Sequence, residues 1–474
     1  MTLEITLPLV RQSPHDTEGG RRDEIMYFLK LISNMTEENL KEPFLLYEHL
    51  QEISNLAEQC LIPKLDNVEE EITEWENVIS LNDLEINLDK VTTALSSPAL
   101  TKSLEEHELT QREKALLVNL IVLVGEHRDP DKPWTSRELI KKCDLIVMEI
   151  CTLLRKSSDT VDKDRPFDVA FGYDIQTAGT PRKTIFFLCL QNLRQKLRPS
   201  TWKYFPAAVA SFAWIVTQVK YPNLSEFVGD LFAPSLLLLD DYNDENKILG
   251  IALAGHGMAN LNKADITRDN WGLVLYNALH GLLYDKNPNM IDSLIPLLMS
   301  VLKAIEVNPN SNSHIFTKYD ETMRKMLFAL DTCSETSLKY SWIIQITSYL
   351  EFLGHATLHW NNKICGSIIH FTTTTDAALW KAMLNCLQVQ VKNTWLKPNS
   401  NKIAEIVLRI VLNCSVLDLP NISPEERTEI IVLCRDTMKL LEYCSDFDEV
   451  RNELEVMKQN DKLHKKFTAT LRTF

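Results

Sequence analysis

Residues 236–250 read Leu236-Leu-Leu-Leu-Asp240-Asp241-Tyr242-Asn243-Asp244-Glu245-Asn246-Lys247-Ile248-Leu249-Gly250. Four leucines run into a polar block, and the apolar pattern resumes at Ile248, Leu249, Ile251 and Leu253. Asp and Asn side chains compete for nearby backbone N–H groups, so they end one helix and begin the next. The stretch predicts a helix, a tight turn and a second helix. Asp240–Asn243 close the first, and Asp244 caps the second, where a carboxylate meets the positive end of the helix dipole.

The same grammar extends in both directions. Capping boxes are predicted at Thr110/Glu113, Thr135/Glu138 and Ser423/Glu426, the last with Pro424 at the first helical position. Each precedes apolar residues spaced three and four apart, the signature of an amphipathic helix. Helix starts are expected near Thr184, Lys203, Asn223, Asp244, Thr267, Asn289, His314 and Ser337. Every second start steps from 184 to 223, 223 to 267 and 267 to 314, or 39, 44 and 47 residues. Antiparallel helix pairs at that period predict an all-α fold, an α-solenoid of HEAT- or armadillo-like repeats. The spacing loosens after about residue 360, where Ile364–Thr375 reads as a short helix or an irregular turn. Residues 1–20 read as a flexible arm, 21–156 as an N-terminal helical region, 157–183 as a loop or linker, and 184–474 as the repeat region.

Composition agrees. The chain has 13 glycines in 474 residues, well below the usual share of about 7%. Hairpins and phosphate-cradling loops lean on glycine, so strand-rich folds and most nucleotide-binding α/β enzymes are disfavoured. A net charge of −15 argues against binding nucleic acid through phosphate neutralisation, and against anionic membrane surfaces. The first ten residues lack the basic start of a signal peptide. The best membrane-spanning run, Ala115–Val124, is about half a span. A soluble protein is expected. Ten cysteines without a C-x-x-C pair, mostly in apolar segments, read as reduced small hydrophobes of a cytosolic or nuclear protein.

Several constellations imitate chemistry. Asp240, Asp241 and Asp244 form D-D-x-x-D, a spacing with which helical diphosphate lyases hold magnesium. Such a site needs a second acidic cluster, and Asp265/Asp269 and Asp320/Glu321 lack the spacing. Gly255-His256-Gly257 after an apolar run imitates a dinucleotide turn, but Asn260 stands at the third glycine. The two glycines fit close packing and a helix end. His355 and His359 stand four apart without the Glu of H-E-x-x-H. The aromatic segment around Trp202, Tyr204 and Phe205 reads as core.

The run Tyr221–Gly250 resembles the core of the Tel-two-interacting protein two family, in which D-D-Y-x-x-E-N-x-I-L-G follows an apolar helix. Asp240, Asp241, Tyr242, Glu245, Asn246, Ile248, Leu249 and Gly250 match it. Trp202 upstream, Val274-Leu275-Tyr276, Pro133-Trp134-Thr135 and Ser423-Pro424-Glu425 also fit, so the resemblance spans about residues 130–445. It implies a helical-repeat subunit of the Triple-T complex with Tel-two and Tel-two-interacting protein one. That complex is a co-chaperone adaptor that helps phosphatidylinositol-3-kinase-related kinases mature with the ninety-kilodalton heat-shock chaperone, in the cytoplasm and also the nucleus. The family implies no catalytic residues, no cofactor and no metal. Asp240, Asp241, Tyr242, Glu245, Asn246, Trp202 and Tyr276 are then candidates for bracing repeats or for touching a partner. A trafficking or transport adaptor of similar composition is the other non-enzymatic alternative.

Overall fold

The computed structural model describes residues 41–65, 80–97, 110–154, 184–311, 316–395, 399–444, 447–460 and 462–474; among them all regular structure is α- or 3₁₀-helical. The chain divides into two compact units, Met1–Gln218 and Val219–Phe474. The arm expected at 1–20, the loop expected at 157–183 and the start expected at His314 lie outside the described residues.

The first unit contains α1 (Lys41–Cys60), α2 (Leu81–Leu95), α3 (Gln111–Glu126), α4 (Arg137–Leu154), α5 (Ile185–Arg194) and α6 (Pro206–Thr217). Helix α3 is its hub and packs on α1, α4, α5 and α6, while α2 packs on α1 and α4. The Thr110/Glu113 box forms as the sequence predicts, with Thr110 N–H donating to Glu113 at 2.6 Å and Glu113 N–H to Thr110 Oγ1 at 3.3 Å. The box expected at Thr135/Glu138 does not form. Ser136 takes the cap instead, its hydroxyl accepting from Leu139 N–H at 3.2 Å, because the helix begins one residue later, at Arg137.

Five consecutive pairs, followed by two further helices at Asp448–Gln459 and Lys465–Leu471, build the second unit: α7 (Val228–Leu239) with α8 (Asp244–Asn260), then, after the short α9 (Lys263–Thr267), α10 (Trp271–Gly281) with α11 (Pro288–Ile305). They continue as α12 (Lys318–Thr332) with α13 (Thr336–Leu353), α14 (Asn361–Ile369) with α15 (Ala377–Asn393), and α16 (Ser400–Val416) with α17 (Pro424–Cys444). The second members pack on one another in order, α8 on α11, α11 on α13, α13 on α15 and α15 on α17. They begin at 244, 288, 336, 377 and 424, steps of 44, 48, 41 and 47 residues. This is the HEAT-like grammar the sequence predicts, and it does not loosen after residue 360. The first members begin at 228 and 271, a few residues after Asn223 and Thr267, because 3₁₀ turns at Asn223–Phe227 and Arg268–Asn270 precede them. The Ser423/Glu426 box is present.

The longest apolar helix is α11, not Ala115–Val124. Among the described residues it is the one helix long and apolar enough to cross a membrane. Here it lies between α8 and α13 and turns Met290, Ile291, Leu294, Ile295, Leu298, Val301 and Leu302 into the core. Burying each such side chain contributes about 1.5–3 kcal/mol. Eight of the ten cysteines are buried, and burial pushes the thiols of Cys143 and Cys386 up to about 12. They are packing groups rather than nucleophiles.

Helices α7 and α8 approach closely because two glycines let them. A Cβ on Gly250 would stand 3.0 Å from Ser235 O and from Leu239 N. On Gly257 it would stand 2.7 Å from Leu231 Cδ2 and from Phe232 Cε1. Neither Gly255 nor Gly257 ends a helix, as the sequence suggested; α8 runs through both to Asn260. Their N–H groups serve the helix ladder, which leaves no phosphate cradle.

Candidate functional site

The polar block at 240–247 forms the turn between α7 and α8. Helix α7 ends at Leu239, and Asp240 N–H donates to Leu236 O at 3.1 Å. Asp240 itself is exposed. Asp241 turns inward, 6% exposed, and its Oδ2 accepts from Asn246 Nδ2 at 2.7 Å. The cap of α8 is Asn243, not Asp244: Asn243 Oδ1 accepts from Glu245 N–H at 2.8 Å. Asn243 carries the extended backbone a cap needs. Asp244 and Glu245 occupy the first turn, where their charge complements the helix dipole.

Asp244 is committed elsewhere. Its carboxylate accepts from Lys247 Nζ at 3.1 Å and from Asn287 Nδ2 at 3.0 Å, and Lys247 also reaches Asp285 at 3.0 Å. Asn287 in turn caps α11 through Asn289 N–H at 3.0 Å. The hydrogen bonds from Asn287 and Lys247 hold the Asp244 carboxyl below its ordinary range, and the bond to Asp285 holds Lys247 above its own. Asp244, Lys247, Asp285 and Asn287 therefore tie the starts of α8 and α11, the second members of consecutive pairs. Sequence reasoning missed the last three. A signal was available, because Asn243 and Asn287 are both caps and stand 44 residues apart, one repeat.

This geometry does not make a diphosphate site. Of the three carboxylates in D-D-x-x-D, Asp240 faces solvent, Asp241 is folded onto Asn246, and Asp244 is paired to a cation. Among the described residues no three His, Cys, Asp or Glu side chains converge as metal ligands. Residues Gly354–Trp360 form a 3₁₀ turn. With three residues per turn, His355 and His359 do not stack on one face as they would on an α-helix. His355 Nδ1 lies 3.2 Å from Asn393 O.

The other candidates sit apart from the turn. Tyr276 is 2% exposed in α10. Its hydroxyl donates to Glu321 Oε2 at 3.2 Å, its ring stacks on His280 at 5.1 Å, and burial pushes its phenol up to about 12. It braces α10 to α12. Trp202 is buried in the first unit, with Lys203 over its ring at 5.3 Å. Tyr242 is the opposite case, 80% exposed at the turn.

The first unit holds a strongly perturbed pair that the sequence did not flag. Glu126 is buried and accepts from Ile62 N–H at 2.8 Å; burial pushes its carboxyl up to about 8. His127 beside it is fully buried with no hydrogen-bond partner for either ring nitrogen among the described residues. Burial lowers it to about 4. A neutral acid beside a neutral imidazole suits a core, not a surface.

No family model matches the chain. TELO2-interacting protein 2 of Homo sapiens is 26% identical over 260 residues, 53% of this chain and 51% of that protein. The chain is related to the TELO2-interacting protein 2 family. The Rattus norvegicus protein of that name is 24% identical over 268 residues, 55% of this chain and 52% of the relative. An uncharacterized Arabidopsis thaliana protein is 25% identical over 195 residues, 41% and 43% of the two chains. The chain thus spans about half the length of the curated relatives it matches. Among solved structures it is similar to importin beta, at 12% identity and a TM-score of 0.42, covering 85% of this chain and 58% of that one. It is also similar to SYS-1, at 14% identity and a TM-score of 0.40, covering 90% and 71%. The helix packing described above, not these distant likenesses, defines the fold.

Proposed function

We propose that this chain is a non-catalytic scaffold subunit of the Triple-T complex. In this reading it binds Tel-two-interacting protein one and Tel-two. It supports the maturation of phosphatidylinositol-3-kinase-related kinases with the ninety-kilodalton heat-shock chaperone, in the cytoplasm and the nucleus. The observation that carries the proposal is the 260-residue similarity to TELO2-interacting protein 2, a protein named for its binding to TELO2. The site chemistry supports it: of the carboxylates that imitate a metal motif, Asp241 holds the turn and Asp244 braces α8 to α11, which suits a chain whose work is binding. Stacked helix pairs contribute a few side chains each to a long surface, and affinity would come from exposed aromatic anchors such as Tyr242.

Affinity purification of the tagged full chain with mass spectrometry tests the proposal. Enrichment of Tel-two, Tel-two-interacting protein one and the kinases is expected. Recovery of vesicle-coat or nuclear-transport components in their place would overturn it.

A further inference from the structure

Outside the turn at 240–247, one surface of the second unit combines an opening with unspent charge. A groove of about 770 Å³ lies between α12 and α14, lined by Arg324, Phe328 and Asp331 on one side and Lys363, Gly366 and His370 on the other. Trp360 Nε1 donates to Asp320 at 3.0 Å, which sets the start of α14 beside the first turn of α12. Arg324 and Lys363, each about one turn farther on, therefore share the same end of the groove. Asp331 and His370 share the other.

Both cations are exposed and rest on aromatic rings, Arg324 over Phe316 at 5.8 Å and Lys363 over Trp360 at 5.0 Å. Among the described residues neither has a carboxylate within ion-pair reach. Lys325, the next residue, is engaged outside the lining, its Nζ donating to His280 O at 2.9 Å and lying 4.6 Å over the Tyr284 ring. Phe328 is 55% exposed and meets Tyr284 edge to face at 6.1 Å. Among the groove-lining residues the one acid is Asp331, while Asp320 at the cationic end is held by Trp360 and Thr317. On a chain of net charge −15, a cationic end joined to an exposed aromatic strip is the reverse of the average surface. At Gly366 a Cβ would meet nothing within 4 Å, so the middle of the groove has room for a bulky side chain from outside.

We propose that the α12–α14 groove docks an acidic segment of another protein. Its carboxylates pair with Arg324 and Lys363, and one bulky apolar side chain inserts beside Phe328 over Gly366. The volume suits one such anchor and its neighbour, and the unpaired cations supply orientation and charge complementarity. The inference does not depend on which complex the chain joins.

Fluorescence polarisation on the full chain tests it with three labelled peptides: an Asp/Glu-rich sequence with one central Trp, the same sequence with that Trp replaced by Ser, and a Lys-rich sequence retaining the Trp. The first is expected to bind most tightly, and to weaken as salt screens the pairs. Arg324→Glu combined with Lys363→Glu should weaken it roughly tenfold or more. Gly366→Trp should do the same by filling the groove, whereas the distant Lys439→Glu leaves binding unchanged. Melting curves verify folding, and should Gly366→Trp fail to fold, the charge-reversed pair decides. Equal binding of acidic and basic peptides, or undiminished binding to the charge-reversed chain, would overturn the proposal. So would preferential binding of phosphatidylserine vesicles over the acidic peptide.

Discussion

Gly255 and Gly257 offer a controlled comparison, because they lie two residues apart in one helix and differ mainly in what stands opposite. Replacing either with Ala gains the same intrinsic helix propensity, about 1 kcal/mol. At Gly255 the new methyl enters open space, so Gly255→Ala should stabilise the chain by up to that amount. At Gly257 it would stand 2.7 Å from Leu231 Cδ2 and from Phe232 Cε1. Ordinary carbon contacts lie at about 3.5–4.0 Å. Both neighbours are at most 1% exposed, so neither can swing into solvent. Overpacking of this kind costs about 1–3 kcal/mol. The two variants should therefore differ by about 1–3 kcal/mol, with Gly257→Ala the less stable. Gly250→Ala should fall at least as far, since the atoms opposite are backbone. Urea unfolding of the full chain reads this as shifted midpoints at unchanged slope. In a melting experiment each kcal/mol moves the midpoint by roughly 2–4 °C for a unit of this size. If Gly257→Ala rises as much as Gly255→Ala, α7 and α8 are not packed as described, and the reasoning from close approach fails.

In the turn itself, Asp241→Ala should cost about 1–3 kcal/mol, because it strips Asn246 of a buried partner. Asp240→Ala, at an exposed position, should stay within about 0.5 kcal/mol; thermal unfolding separates them, and equal losses would contradict the assigned geometry. Tyr242→Ala should leave the melting temperature unchanged yet weaken complex formation in a pull-down, whereas a lower melting temperature would make Tyr242 a packing residue. The Glu126–His127 pair predicts a pH signature. The raised carboxyl of Glu126 makes the folded state bind the extra proton, so stability falls as pH rises from about 4.5 to about 8. Each unit of that span is worth about 1.4 kcal/mol. His127, lowered to about 4 from 6.5, contributes the opposite slope between those values, so the two offset each other up to about pH 6.5 and the Glu126 slope stands alone above it. Glu126→Gln should therefore gain stability relative to the native chain progressively from about pH 5 to pH 8 in urea titrations. A difference that does not change with pH would show that Glu126 is not buried as a neutral acid.

The sequence carried the period and the chemistry of the helix ends, because three- and four-residue spacing and side-chain caps are local properties. Thr110, Thr184 and Ser423 were legible for that reason, and so was the turn at 240–243. What one residue decides was less so. Ser136 takes the cap expected of Thr135, and Asn243 the cap expected of Asp244, since adjacent residues of equal capping power are separated only by where the helix packs. Gly255 and Gly257 looked like an end because local sequence does not show that Leu231 and Phe232 stand opposite one of them. The brace of Lys247, Asp285 and Asn287 is a contact between repeats, so no single window contains it. Tyr242 and Tyr276 look alike in sequence, yet one is exposed and the other buried against α12.

The most direct test of the central claim is co-expression of the full chain with Tel-two and Tel-two-interacting protein one, followed by size-exclusion chromatography. The account predicts that the three co-elute in one stoichiometric peak that persists through dilution and moderate salt. Elution of this chain by itself, folded and separate from a complex of the other two, would contradict it.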